Sequence, residues 1–194
     1  SGKLDFSEGI LEVSSLKDGG LPSSIGAAGT AASNWTMRNA TLQTASQVAT
    51  NRNMTVVGKL TVNNPASNHS VMISGNISGE NIALELTGAG SLNLQGTNNF
   101  KTVLVKSGTL ALGSVDANRT ALGTAHITLE GGTLQMRDAN STGTVGPFIN
   151  TIDVPEGKTA NWNLPKRWNF TNKLTGKGRI NINIPYVRSE FIGD

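Results

Sequence analysis

Residues 107–136 read SGTLALGSVDANRTALGTAHITLEGGTLQM, and this stretch decides the fold. It holds Gly-Thr-Leu twice, at Gly108-Thr109-Leu110 and at Gly132-Thr133-Leu134. Between these triplets the pattern alternates. Ile127 and Leu129 point one way, and Thr128 and Glu130 the other. After the glycines, Leu134 and Met136 resume the apolar side. A period of two argues for strands, and the glycines mark where the chain turns. Upstream, Val103, Val105, Leu110 and Leu112 make the same paired pattern.

Working outward, short runs of this kind fill the chain. They include ILEV (10–13), NMTVVGKLTV (53–62), HSVMISGNIS (69–78), IALEL (82–86), SLNL (91–94), TIDV (151–154) and RININI (179–184). Each ends at Gly, Asn, Asp or Pro, which suits turns. The dissenting stretch is DGGLPSSIGAAGTAASN (18–34), which is small, polar and loop-like. Composition agrees with many strands and many turns. The chain has 194 residues with 23 Gly, 21 Asn and 21 Thr, and only 15% is charged. Its polarity rests on amides and hydroxyls. At 37% hydrophobic it has enough apolar residues for a core.

An internal repeat emerges when residues 8–43 are set against 107–135. Gly9 matches Gly108. Leu11 and Val13 match Leu110 and Leu112, Ile25 matches Leu122, and Trp35 and Met37 match Ile127 and Leu129. TGAGSLNL (87–94) likewise matches TGKGRINI (175–182). The expected organisation is one continuous unit over 1–194. It holds two diverged modules, about 8–96 and 97–184, and a truncated continuation over 185–194. The ends, SGKLDF and PYVRSEFIGD, read as those of a piece cut from a longer chain. Short amphipathic strands without helices must stack on one another, and a coil is the simplest way. The predicted fold is all-β: a right-handed parallel β-helix, a single-stranded solenoid of the pectin-lyase-like kind. At roughly 20–25 residues a rung and about 4.8 Å per rung, it should hold about eight or nine rungs.

These residues resemble a known family. SGTLALGS, ALGTAHITLEGGTLQM and GGLPSSIGAA with ASNWTMRNATLQ are similar to the autotransporter-associated β-strand repeat. Asn39-Ala40 departs from that pattern, standing where it has Gly-Gly, and residues 61–72 do not fit it. The resemblance implies an exported bacterial passenger, extracellular or at the cell surface, acting as a rigid stalk, spacer or adhesin module. The implied partners are host or environmental glycans, surface proteins, and flanking domains of the same chain. No cofactor is implied.

Chemistry is thinner. The formal charge is +3 and the basic residues are dispersed, which argues against nucleic acid. There is no cysteine, so disulfides and thiolate metal sites are excluded. No apolar run is long enough for a membrane-spanning helix, and membrane insertion is not expected. Gly157-Lys158-Thr159 ends like a P-loop, but Ile152 stands where the motif needs glycine. Gly88, Gly90, Gly176 and Gly178 precede strands and read as turns. His69 and His126 have no supporting triad motif. Asp153 with Glu156, and Asp138 with Asn140, read as turn residues before calcium ligands.

Two further readings concern glycans. A polysaccharide lyase or hydrolase needs clustered acids. Glu12 aligns with Ala111, so the modules share no acid there, and no catalytic residue is assigned. Asp116, Arg119, Arg137 and Asp138 lie in turns. The alternative to a stalk is therefore carbohydrate binding or cleavage on the outer face. Its candidate patch is ANWNLPKRWNF (160–170), with Trp162, Trp168, Arg167 and Asn163 as the ligand-binding set. Rings of this kind stack on apolar sugar faces. At strand spacing, Trp162, Leu164, Trp168 and Phe170 can instead be core, and this is the favoured reading. Eight Asn-x-Ser/Thr sequons, Asn34, Asn53 and Asn169 among them, follow from alternation in a chain rich in Asn and Thr.

Overall fold

A computed structural model describes residues 2–113, 121–136, 148–164, 169–170, 172–185 and 190–191. Among these, the helical content is one 3-10 turn, Ala32–Asn34. The remainder is strands and turns. In chain order the strands are β1 (Leu4–Ser7), β2 (Ile10–Val13), β3 (Trp35–Thr44), β4 (Gln47–Thr50), β5 (Met54–Asn64), β6 (Ser70–Ile73), β7 (Ile77–Ser78), β8 (Ala83–Gly88), β9 (Ser91–Leu94) and β10 (Thr102–Val105). They continue as β11 (Thr109–Leu112), β12 (His126–Leu129), β13 (Thr133–Met136), β14 (Ile152–Val154), β15 (Thr159–Asn163), β16 (Asn169–Phe170), β17 (Leu174–Gly176), β18 (Arg179–Asn183) and β19 (Glu190–Phe191).

Every pairing among them is parallel. The first sheet runs β1-β3-β5-β8-β10-β12-β14-β17, with β2 beside β3 and β7 beside β5. The second runs β4-β6-β9-β11-β13-β15-β18, and β16 pairs with β19. Neighbours in each sheet come from successive turns of the chain, so the molecule is a β-solenoid. Its core is the alternation expected from sequence. Leu60, Leu84, Val103, Ile127 and Ile152 stack inward along the first sheet, and Val71, Leu92, Leu110, Leu134 and Trp162 along the second.

The recurrence of Gly-Thr-Leu is a matter of stacking. Thr109 lies beside Thr133 and Leu110 beside Leu134, one turn apart. Gly90, Gly108 and Gly132 stack at the corner before these strands. Gly108 has φ 73° and Gly132 φ 63°, a left-handed backbone that side chains disfavour. A Cβ on Gly108 would lie 2.5 Å from the Gly90 carbonyl oxygen, and one on Gly132 would lie 2.7 Å from that of Gly108. The close approach serves the ladder. Gly90 O accepts from Thr109 N at 3.0 Å, and Gly108 O from Thr133 N at 2.8 Å. Where Asn39 replaces glycine, it also takes a positive φ, 45°. Its Oδ1 then accepts from the Lys59 backbone N–H at 3.0 Å. The register slips there, between Arg38 and Ala40.

Two sequence expectations need correction. The closed column holds about five turns, fewer than the eight or nine rungs expected. From β3 and β4 to β14 and β15, the inward residues of both sheets are buried. Beyond that, burial falls away among the described residues. In β17 and β18 every residue keeps some exposure, with Leu174 and Ile182 well exposed. Residues 14–34 also consume a turn's length of chain without a strand in the second sheet. Secondly, the matched repeat strands occupy matching places only in part: Trp35 and Met37 share the first sheet with Ile127 and Leu129, and residues 87–94 and 175–182 both pass from the first sheet to the second. Leu11 and Val13 lie in β2 of the first sheet, whereas Leu110 and Leu112 lie in β11 of the second. At that mismatched pair, what recurs is a local inward pattern, which every side of the coil needs.

Candidate functional site

Of the aromatic patch, the described residues include Trp162 and Asn163. Trp162 in β15 is fully buried, with Leu134 and Ile182 as its stacked neighbours and the Phe148 ring 6.3 Å away. It presents no face to a ligand, and Leu164 is buried with it. Both therefore belong to the core. Asn163 does face outward, and its Nδ2 donates to Gln135 Oε1 at 3.0 Å. Trp168 and Arg167 lie outside the described residues, as do Asp116, Arg119, Arg137, Asp138 and Asn140. His126 is exposed where it opens β12. Asp153 accepts from the Thr175 hydroxyl at 2.8 Å, a structural contact. Gly157 sits in the turn between β14 and β15, where Lys158 N donates to Pro155 O at 3.1 Å. Among the described residues, no group of three or more His, Cys, Asp or Glu could hold a metal, and no helix is long and apolar enough to cross a membrane.

A concavity lies on the outer face of the second sheet. It is a groove of about 750 Å³ running across β4, β6, β9, β11 and β13. Strand alternation sends every second side chain outward, and the register aligns them from turn to turn. One row is Gln47, Ser70, Ser91 and Thr109; the next is Ala49, Met72, Asn93, Ala111 and Gln135. The floor is thus hydroxyl, amide and methyl. Asn93 is only 9% exposed, and its Oδ1 accepts no hydrogen bond. Ala111, next along the row, is short enough to leave a notch between Asn93 and Gln135.

One end of the groove is walled by residues 14–18 and Leu21. Arg52 holds this wall. It is buried, and among the described residues its partners are carbonyls: Nε donates to Lys17 O at 3.1 Å, and Nη2 to Leu21 O and Gly26 O, each at 2.9 Å. A planar guanidinium satisfies several carbonyls at once, which a lysine could not match. Asp18 Oδ1 accepts from Asn51 N at 2.8 Å, and Gly19 N donates to Asn51 Oδ1 at 2.9 Å. Sequence reading singled out neither Asn93 nor Arg52. The available signal for Arg52 was a lone cation in TNRNM, opposite a loop too polar to pack by itself.

The outer face of the first sheet differs. Glu85 accepts from Lys106 at 2.8 Å and from Lys59 at 3.0 Å. Partial burial opposes its ionisation, but the two lysine hydrogen bonds outweigh this and hold its carboxyl below the ordinary glutamate range. Lys106 is raised in turn by that hydrogen bond. Arg38 and Asp5 pair at 2.8 Å in the open, lowering the aspartate.

Compared with known proteins, the chain matches no family model, no curated protein and no solved structure.

Proposed function

We propose that this chain is a rigid stalk or spacer of an exported bacterial surface protein. The solenoid is taken as a right-handed, pectin-lyase-like β-helix, since parallel strands joined by crossovers are right-handed in about 98% of cases. The resemblance to the autotransporter-associated β-strand repeat supports an extracellular or cell-surface location and an adhesin context. Its partners would then be flanking domains of the same chain, with surface proteins or glycans as targets.

The observation that carries the reading is the uninterrupted core. Inward residues of successive turns touch from β3 to β15, so load passes along one column rather than between separate domains. Five turns at the ordinary strand spacing give roughly 25 Å of reach. The proposal assigns no catalytic step.

The test places the chain between a membrane anchor and a fluorescent tag on a bacterial surface. The tag should move outward by roughly 25 Å relative to the same fusion without the chain. An unchanged tag height would overturn the stalk reading, and release of new reducing ends from polysaccharides would overturn the non-enzymatic assignment.

A further inference from the structure

We propose that the C-terminal edge of the second sheet is a self-association surface: β18 pairs antiparallel with β18 of a second copy of this chain, about a two-fold axis through Ile182. The inference does not rest on the stalk reading.

The two long sheets end in four edges, and three of them are guarded. An exposed edge strand presents unpaired N–H and C=O groups, and proteins blunt it with covers, charges or kinks. At the N-terminal end of the second sheet a loop supplies the cover: Ser24 N donates to Ser15 O at 2.9 Å, and Ser15 N to Ser24 Oγ at 3.1 Å. On the first sheet at that end, β1 and β2 are four residues each and carry Asp5 and Glu12. Positive φ at Glu8 and Gly9, 56° and 78°, breaks the line between them. At the other end of the first sheet, β17 is three residues long, with Lys173 and Lys177 flanking it. β18 has none of these devices. From Ile180 to Ile184 the chain holds no charge, proline or glycine, and among the described residues no strand pairs with its outer edge.

The side chains of this edge agree with its backbone. Ile180 and Ile182 stack on Ala160 and Trp162, which are fully buried. Yet Ile182 and Ile184 are each 37% exposed, so the apolar column ends here on uncovered isoleucines. Covering them would remove apolar area from water. The free backbone groups belong to the same residues. Arg179 N donates to Lys158 O at 2.8 Å, and Asn183 O accepts from Leu164 N at 2.9 Å. These alternate residues spend their groups on the preceding turn. The N–H and C=O of Ile180, Ile182 and Ile184 therefore point to the outer edge.

The occupant follows from the strand's own symmetry. Ile180-Asn181-Ile182-Asn183-Ile184 reads the same in both directions. Laid antiparallel on a second copy about Ile182, it sets Ile182 against Ile182 and Ile180 against Ile184. These are the residues with outward backbone groups, so each pair exchanges both of its hydrogen bonds. Asn181 meets Asn183 across the seam, amide against amide, with no charge to repel. Lys177 and Arg179 of the two copies fall at opposite ends of the ribbon, so the cations stay apart. The inward isoleucines of the two copies join into one column. Such a pairing is isologous and uses up both β18 edges, so association stops at the dimer.

The experiment is sedimentation equilibrium of the purified chain over a wide concentration range, where a monomer–dimer equilibrium is expected. Asn181→Lys with Asn183→Lys sets like charges opposite each other across the seam. It should raise the dimer dissociation constant at least about tenfold. Asn181→Lys with Asn183→Glu sets opposite charges there and should restore the dimer. Both positions are exposed, so circular dichroism should show the fold unchanged in either variant. The chain has no cysteine, so cross-linking reads the register directly. Under mild oxidation, Asn181→Cys mixed with Asn183→Cys should give a disulfide-linked dimer, because facing residues of this kind bring their Cα atoms to about 4.5 Å. Either variant alone should cross-link far less. The proposal is overturned if the chain stays monomeric at every concentration or if species larger than a dimer form. It is also overturned if the like-charge variant associates as well as the parent, if the opposite-charge variant does not associate, or if one cysteine variant alone cross-links as fully as the mixture.

Discussion

On the first sheet, outward side chains of successive turns hold one another; on the second, most of those over the groove do not. Glu12, Gln43, Asn63 and Thr87 form one cross-turn chain on the first sheet, with hydrogen bonds of 2.6, 2.7 and 3.2 Å. Lys59, Glu85 and Lys106 form another. Over the groove, five of the eight side chains facing out from β4, β6, β9 and β11 are short: Ala49, Ser70, Ser91, Thr109 and Ala111 cannot span the gap between turns. One core therefore supports two kinds of surface. Long polar side chains close a face onto itself, and short ones leave its polar groups free for something else.

The largest test breaks the groove's wall. Arg52→Ala should cost about 3–5 kcal/mol of unfolding free energy in urea, because the carbonyls of Lys17, Leu21 and Gly26 lose one charged donor together. Arg52→Lys should recover part of it, since one ammonium reaches fewer carbonyls. A loss under about 1 kcal/mol would show that the loop is held by its backbone contacts instead.

Next comes the corner that both surfaces share. Gly108→Ala sets a Cβ against the Gly90 carbonyl at a positive φ, and should cost about 2–3 kcal/mol. Gly157→Ala is the control, with φ 75° but nothing within 4 Å, and should cost about 1 kcal/mol. Equal losses would mean that backbone strain, not stacking, fixes the glycine.

A smaller effect sharpens the charged face. The folded-state pKa of Glu85 lies below its unfolded value, so its contribution is present above the unfolded pKa. That contribution is lost as pH falls through the folded value. Glu85→Gln should cost about 0.5–1 kcal/mol at neutral pH, less in high salt, and should flatten the acid limb of the stability curve below the ordinary glutamate range. An unchanged acid limb would remove the lysine pair from the account.

How far this contrast was legible in sequence depends on the side of the strand. The inward rows were legible, because Ile127 and Leu129, or Leu134 and Met136, alternate within four residues. The turn count was not. Leu11 with Val13 and Leu110 with Leu112 look alike, yet they lie in different sheets. Alternation reports a strand but not which side of the coil it forms. Trp162 was legible as a strand residue, and its burial followed the favoured core reading. The groove was not legible at all. Asn93 lies 21 residues after Met72 and 18 before Ala111, and only the register of β6, β9 and β11 brings the three together. Turn lengths vary because corners and loops vary, so outward rows cannot be aligned by counting.

The smallest expected effect bears most directly on the comparison. Asn93→Ala deletes a buried amide with an unpartnered oxygen, so the usual penalty for losing a hydrogen bond has nothing to act on. The amide's packing against Met72 and Ala111 is lost, while the desolvation cost of its oxygen is relieved. These terms oppose each other, and calorimetry should find a change within about 0.5 kcal/mol. Asn63→Ala on the first sheet removes the same kind of side chain from between two partners, Gln43 and Thr87, and should cost about 1 kcal/mol more than Asn93→Ala. If both asparagines cost the same, the two faces do not differ in how their amides are used. If Asn63 alone matters to the fold, the outer face of the second sheet carries an amide that the solenoid itself does not need.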